Sequence, residues 1–393
     1  MTKVAILGDG LTGQSIKKAL ERLRGYSLTE VQYADLIVTS PGIPAEKMPK
    51  TSVEIISEIE FAYRLFHRPG SPYRPKLIAV TGTNGKTTVT SLISHLLGMP
   101  AAGNIGTPLI DYVDSPSRPE WLVVELSSYQ LEFCTTFRPE IAVLTNITPD
   151  HLLRHKTMEN YACQKAKIFG QQRPSDTLIY FNEDTYVSDC VSRAQAMLQP
   201  YSLKSPELSL LTNSKLVGNH NQLNMLAGLY AAKAAGLDMD LILSRLATFT
   251  PVEHRLEFVR NYHNRPFYND SKATNPDSAL VAVDAFTDPI HLILCGQDKQ
   301  LPLEVFIGYL HKKVKTITIF GDISERFVAG SKKQNASFPL FQVQDIDAAI
   351  RTAFKHSKEN DIILFSPSCA SFDQFKDYNH RGQVFKEQVN LLS

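Results

Sequence analysis

The stretch Leu77–Leu97, LIAVTGTNGKTTVTSLISHLL, leaves the chain few choices of fold. Leu77 to Val80 is an apolar run of strand length, and Thr81 to Lys86 is a glycine-rich turn. From Thr87 onward apolar residues recur at helical spacing, in Val89, Leu92, Ile93, Leu96 and Leu97. Strand, turn and helix together make a phosphate cradle of an α/β protein. Gly82 and Gly85 let the backbone turn its N–H groups inward without a Cβ clash. The helix N-terminus adds partial positive charge there. Lys86 supplies a full charge for β/γ-phosphates, and Thr87 a hydroxyl for Mg²⁺. The usual P-loop spacing asks for glycine five residues before Gly85, where Val80 stands. The nucleotide reading therefore rests on Gly-Lys-Thr and its context. The alternative is an ordinary strand-to-helix turn.

Two more strands end in polar groups of the right kind. Trp121 to Glu125 is an apolar strand closed by a carboxylate, either a Mg²⁺-holding acid of Walker-B type or a strand end facing water. Ile141 to Leu144 runs into Thr145-Asn146-Ile147-Thr148-Pro149-Asp150-His151. In open α/β sheets ligands collect at the edge where parallel strands end, which favours a functional role for Asp150 and His151. Lys165 and Lys167 fall on the next helix, Tyr161 to Phe169, and the pattern alone puts both on a solvated face. From Asn219 the run NHNQLNMLAGLYAAKAAGL is an alanine-rich helix, its asparagines suited to capping or to hydrogen bonding a base.

The chain starts with a strand, Val4 to Leu7, then Gly8-Asp9-Gly10-Leu11-Thr12-Gly13 and a helix through about Leu23. On paper this is the dinucleotide fingerprint, but no acidic residue clearly ends the second strand, Glu30 and Asp35 being the candidates. The turn suits the pyrophosphate of some other nucleotide as well. RPGSPYRP, Arg68 to Pro75, reads as a linker. The C-terminal part again alternates strands (Arg265 to Asn269, His291 to Cys295, Thr316 to Phe320, Asp361 to Phe365) with helices. Three α/β domains are expected, over 1–74, 75–250 and 251–393, in a chain of 393 residues. With 41 basic and 40 acidic residues the chain offers no electrostatic case for a nucleic-acid or membrane partner. Five scattered cysteines without CxxC spacing argue against a disulfide framework and a zinc site. No signal peptide and no apolar run of membrane-spanning length are read, so a cytoplasmic location is expected.

TGTNGKTT, GNIG, ELSSYQLE, TNITPDHL, NHNQLNMLA, EHRLE and NDSKATN, in that order, resemble the Mur ligase family, whose members build the peptide stem of bacterial peptidoglycan. The family's short P-loop also accounts for Val80. GLTG near the start and SPSCASFDQFKDYNHRG near the end resemble the branch that adds D-glutamate. The resemblance implies a Rossmann-like, UDP-sugar-binding domain over 1–74, a central P-loop ATPase domain with a mainly parallel sheet over 75–250, and a Rossmann-like, amino-acid-binding domain over 251–393. It implies ATP, two Mg²⁺ ions, and UDP-N-acetylmuramoyl-L-alanine and D-glutamate as substrates, in a monomer.

By the same resemblance Gly82, Thr83, Asn84, Gly85, Lys86, Thr87 and Thr88 hold the ATP phosphates, Asn221 and Asn224 lie by the adenine, Arg255 reaches the ATP and Asp270 the ribose. Lys86, His151 and Lys165 are the implied catalytic residues, and Lys165 the one carbamoylated by CO₂. Thr87, Glu125, His151 and the Lys165 carbamate are the implied metal ligands. Gly10, Leu11, Thr12, Gly13, Ser40, Gly42, Asn104 and His151 are assigned to the UDP substrate; Thr274, Lys299, Ser371 and Tyr378 to D-glutamate. Competing readings are a folylpolyglutamate synthase-like ligase, a non-catalytic nucleotide-binding regulator, and an NAD-dependent oxidoreductase resting on Gly8 to Gly13 alone.

Overall fold

Apolar runs bounded by glycine, proline or asparagine turns become three sheets in the computed structural model, which describes residues 1–41, 43, 47–211, 218–250 and 253–392. Gly42, assigned above to the UDP substrate, lies outside the described residues. The chain divides into two compact units, one holding the first two sheets with Asn221–Phe249, the other the third sheet from Thr250 on.

In the first unit, β1 (Thr2–Leu7), α1 (Leu11–Arg22), β2 (Tyr26–Leu28), β3 (Leu36–Thr39), β4 (Ile55–Ser57) and α2 (Glu58–His67) build a four-stranded parallel sheet of order β2-β1-β3-β4. α1 buries Ile16, Ala19 and Leu20, the i, i+3, i+4 stripe of an amphipathic helix. Asp35 immediately precedes β3 and accepts the Lys3 N–H at 2.8 Å, so it serves the opposite edge of this sheet from the Gly8–Gly13 turn.

The second sheet comprises β5 (Lys76–Thr81), β6 (Ala101–Gly103), β7 (Trp121–Glu125), β8 (Ile141–Leu144), β9 (Thr177–Phe181) and β10 (Met197–Tyr201), all parallel in the order β10-β9-β8-β5-β7-β6. Its helices are α3 (Lys86–Leu97), α4 (Ser128–Glu132), α5 (Leu152–His155), α6 (Met158–Ala166), α7 (Thr185–Val191), α8 (Asn219–Ala234) and α9 (Met239–Thr248). After β5 the chain first fills one side of that strand with β6 and β7, then crosses to the other with β8. The strand order thus reverses beside β5, and a crevice opens there at the C-terminal ends. α3 packs on the sheet through Val89, Leu92, Ile93 and Leu96, all fully buried, each worth about 1.5–3 kcal/mol.

α2 ties the first sheet to the second. Ser57 caps it, and the fully buried Glu60 carboxylate accepts the N–H groups of Thr135, Thr136 and Phe137, both threonine hydroxyls, and Arg64 Nε at 2.8 Å. Burial alone would raise its pKa; the hydrogen bonds from Thr136, Arg64 and the backbone outweigh that and hold it down.

The second unit contains β11 (Glu257–Tyr262), β12 (Arg265–Asn269), α10 (Pro276–Val283), β13 (Ile290–Cys295), α11 (Glu304–Lys313), β14 (Val314–Phe320), α12 (Ser324–Lys333), β15 (Leu340–Gln342), α13 (Ile346–His356), β16 (Ile362–Ser368) and α14 (Tyr378–Asn390). The order is β11-β12-β16-β13-β14-β15, parallel except for the β11–β12 hairpin. Here the order reverses between β13 and β16. Leu292, Ile293, Leu294, Ile363, Leu364 and Phe365 on those strands are all fully buried, as expected for a sheet covered on both faces.

Candidate active site

The turn after β5 has the backbone that its sequence requires. Gly82 and Gly85 have φ of +148° and +84°, and a Cβ on Gly82 would overlap the Thr145 hydroxyl. The turn is shaped by the strand end beside it. Thr145 Oγ1 and Asn146 Nδ2 donate to the Asn84 carbonyl at 2.6 and 3.1 Å; Asn146 Oδ1 accepts Asn84 N–H at 2.8 Å, and Asn146 O accepts Thr83 N–H at 2.8 Å. Thr83 Oγ1 reaches Thr148 O and lies 3.2 Å from the Tyr161 hydroxyl. Lys86 bends back over the loop, its Nζ donating to Gly82 O at 3.0 Å and Thr83 O at 2.7 Å. Thr87 and Thr88 are buried in the first turn of α3.

Lys165 corrects the sequence expectation for its helix. It is 1% exposed, not on a solvated face, and its Nζ donates to Gly82 O at 2.6 Å while sitting 4.5 Å from the Tyr161 ring centroid. Burial, reinforced by the charge of Lys86, pushes its pKa well below the ordinary lysine value. Lys167 is half-buried, its Nζ donating to Glu132 O at 2.6 Å. The turn at the end of α6, where Lys165 O accepts Ile168 N–H, buries Ile168 and Phe169. That packing is tertiary, so the helical pattern did not register it.

Glu125 ends β7 and is 2% exposed. Asn104, just past β6, donates to its Oε1 at 2.7 Å, whereas Oε2 is buried with no hydrogen-bond partner. A buried carboxylate oxygen without a donor is costly unless a cation completes it. His151 follows β8 at φ +53°, its Nδ1 3.1 Å from the Tyr129 hydroxyl and its Nε2 3.5 Å from Asp150 Oδ2. Asn224 packs against Gly85: a Cβ there would overlap its Oδ1. The approach is possible because Gly228, one helical turn on, lets α8 close on Leu92 of α3. Asn224 Nδ2 donates to Asn221 Oδ1 at 3.2 Å. The C-terminal edge of the second sheet thus gathers the P-loop, Asn104 and Glu125, while His151, Lys165, Asn221 and Asn224 arrive from the turn after β8, α6 and α8.

At the first sheet, Gly10 is the N-cap of α1, which has no side-chain cap, and Leu11, Thr12 and Gly13 lie in the helix's first turn. Gly13 must be glycine, because a Cβ would overlap Gly8 O. Ser40, just beyond β3, has a buried Oγ without a partner.

The second unit carries its own cluster. Asp270, at the end of β12, accepts Ser366 Oγ at 2.8 Å and Leu256 N–H at 3.2 Å. Burial pushes its carboxyl up to about 6, the charges and donors of Arg255, Ser366 and Leu256 opposing. Arg255 Nε is buried without a partner. Thr274 lies in the turn before α10, Lys299 in a turn pinned by the Asp298–Arg326 ion pair, Ser371 is buried, and Tyr378 opens α14 with Lys272 Nζ 5.2 Å from its ring centroid. Arg381 is fully buried and joins these loops, donating to Ser271 Oγ, Ser271 O and Cys369 O at 3.1, 2.7 and 3.0 Å. Sequence reasoning did not assign Thr145, Asn146, Tyr129, Tyr161 or Arg381. The first two follow an apolar strand directly, a signal that was there to use; the others act on partners that only the fold brings near.

A parallel sheet with a phosphate-type loop at its switch point and a buried acid on the next strand defines a P-loop nucleotide-binding protein. The chain belongs to the Mur ligase family: residues 80–210 match the Mur ligase middle domain, and residues 254–369 the Mur ligase glutamate ligase domain. It is 36% identical to a UDP-N-acetylmuramoylalanine–D-glutamate ligase of Caldanaerobacter subterraneus subsp. tengcongensis, over 95% of this chain and 90% of that one. It is 37% identical to the ligase of the same name from Acidobacterium capsulatum, over 93% and 84%. The crystal structure of MurF ligase from Thermotoga maritima in complex with ADP superposes with a TM-score of 0.66 at 16% identity, covering 99% of this chain and 95% of that one. At that identity the likeness is one of fold.

Proposed function

We propose that this chain is an ATP-dependent amide ligase that joins UDP-N-acetylmuramoyl-L-alanine to D-glutamate, releasing ADP and phosphate, in peptidoglycan precursor synthesis. The observation that carries the chemistry is the loop Gly82–Thr88 with Lys86 folded over it and Lys165 buried behind it. The terminal carboxylate of the UDP-sugar attacks the γ-phosphate of ATP, giving an acyl phosphate. The amine of D-glutamate adds to that carbonyl, and the tetrahedral adduct collapses to the amide and phosphate. The first step brings two anions together. The P-loop amides and Lys86, preorganised around the loop, offset that repulsion.

Glu125 Oε2, the Thr87 hydroxyl and a Lys165 carbamate fit Mg²⁺, which demands oxygen donors; the bound ions, two by family resemblance, would neutralise phosphate charge. The ring nitrogen of His151 is the least apt donor of that set, and we assign it also to the substrate carboxylate. Lys165 is suited to carbamoylation because burial favours the neutral amine, the form that adds to CO₂ with loss of a proton. Gly10, Leu11, Thr12, Gly13, Ser40 and Asn104 take the UDP substrate; Asn221, Asn224, Arg255 and Asp270 take the nucleoside of ATP; Thr274, Lys299, Ser371 and Tyr378 take D-glutamate. The division into domains over 1–74, 75–250 and 251–393, a monomeric state and a cytoplasmic location belong to the same proposal. No helix among the described residues is long and apolar enough to cross a membrane.

The deciding experiment is a panel of amino-acid acceptors with ATP and UDP-N-acetylmuramoyl-L-alanine. Phosphate release is expected only with D-glutamate. Equal rates with L-glutamate or meso-diaminopimelate would overturn the assignment.

A further inference from the structure

Of the five cysteines, Cys134, Cys295 and Cys369 are buried, Cys163 is exposed and Cys190 is half-buried. The two that reach the surface stand on one cavity of about 600 Å³ between α6 and α7 in the first unit. Ala162, Ala166, Phe169 and Tyr186 give it an apolar floor. The size falls within the range of small-molecule sites, roughly 300–1,000 Å³.

α6 is the wall that this cavity shares with the nucleotide loop. Its Tyr161 and Lys165, four residues apart, face Thr83 and Gly82. Its Glu159, Ala162, Cys163 and Ala166, spaced three and four apart, line the cavity. A restraint placed on the second stripe therefore acts on the helix that holds Lys165 against the P-loop.

We propose that this cavity is a thiol–disulfide exchange site for a small disulfide, with Cys163 as the attacking thiol and Cys190 as the resolving one, and that the resulting Cys163–Cys190 bond restrains α6 behind the P-loop. In the first step the Cys163 thiolate attacks one sulfur of R–S–S–R, forming Cys163–S–S–R and releasing RS⁻. In the second, Cys190 gives its proton to solvent and attacks the Cys163 sulfur, releasing the second RS⁻. Two protein thiols are oxidised and one disulfide is reduced to two thiols. The order follows from access and from charge. Cys163 is open to solvent, while burial pushes the Cys190 thiol up to about 11, which keeps it protonated and makes the second step the slow one. Closure draws the two Cα atoms to within about 7 Å, clamping α7 to α6.

The test uses the full chain with bis(2-hydroxyethyl) disulfide as the probe, followed by intact mass and peptide mapping. The expected course is one adduct on Cys163, then its loss with appearance of a linked Cys163–Cys190 peptide. Cys190→Ser stops at the adduct, and Cys163→Ser takes up none over the same time. A Cys190 that stays free after Cys163 is capped, or prior reaction of Cys190, overturns the proposal. The consequence for catalysis rests on the ligase reading above. ATP-dependent phosphate release in the linked protein falls about fivefold or more, at the low end of coupling between sites, and returns with dithiothreitol. Both serine variants keep their untreated rate. Unchanged turnover in fully linked protein would remove the restraint on α6. The peptide map is read without substrates, so a missing cross-link fails the exchange site whether or not the chain uses D-glutamate.

Discussion

Lys165 is a cation held where cations are expensive: 1% exposed, its ammonium on a backbone carbonyl, with Lys86 as an electrostatic neighbour. Burial and the Lys86 charge lower its pKa even though the nearby carboxylates of Asp150 and Glu125 act to raise it. Lys165→Ala is expected to lower ligation at least about a hundredfold, on the scale of losing one electrostatic stabiliser, and added short carboxylic acids to restore part of it by supplying the missing oxygen. Full activity of the variant in CO₂-free buffer would refute the carbamate. Sequence motifs identified Lys86, Glu125 and His151 as candidates because chemistry at a strand end leaves a local pattern. They were silent on the residues that orient them. Asn146 grips Asn84 across 62 positions, and Tyr129 meets His151 across 22. Such partners are set by strand order, which no local window contains.

At the scale of elements, the strand–turn–helix from β5 to α3 was fully legible, and its glycines are unequal. Gly82 and Gly85 have positive φ and neighbours where a Cβ would sit, whereas Gly10 has φ near −69° and nothing within 4 Å. Gly82→Ala should cost roughly 2–4 kcal/mol of stability and abolish ATP binding, by strain and by displacing Thr145. Gly10→Ala should cost no more than about 1 kcal/mol, the loss of a glycine N-cap without a steric clash. Thermal melts with and without ATP separate the two cases; equal melts would contradict this account of the loop. Strands with central apolar runs, such as β7, β8 and β13, were read within a residue or so. The three-residue strands β2, β4, β6 and β15 were not, because so short a segment carries no period and its strand character comes from the neighbour it pairs with.

For the whole molecule, buried titratable groups set how stability follows pH. Glu58 is buried under the Ile110 N–H, and burial pushes it up to about 7 from an unfolded value of 4.5; Asp270 goes up to about 6 from 3.8. A carboxyl raised on folding contributes stability that is whole below its unfolded pKa and is lost as pH rises through the folded one. Both contributions therefore fade between about pH 4 and 7 and are absent at pH 8. His155, His254 and His291 are lowered, chiefly by burial, and His220 falls to about 4, so the folded state resists their protonation and stability is also lost as pH drops below 6.5. Taken by themselves these carboxyls and histidines favour folding most near pH 6, while Lys165, lowered by burial, adds stability that grows as pH rises toward its unfolded value of 10.5. Glu58→Gln should raise the melting temperature at pH 8 relative to the parent and leave it nearly unchanged at pH 5. A parallel shift at both values would show that Glu58 does not titrate in this window.

The sequence alone determined the α/β class, the phosphate loop and the family, because each is written in short-range patterns of apolar period, glycine and paired motifs. Tertiary structure decided which face Lys165 presents, which oxygen of Glu125 is left without a donor, and which two of five thiols share a cavity. Those are facts of burial and approach between segments far apart in the chain, and burial, more than residue identity, fixes the charge state on which the chemistry turns.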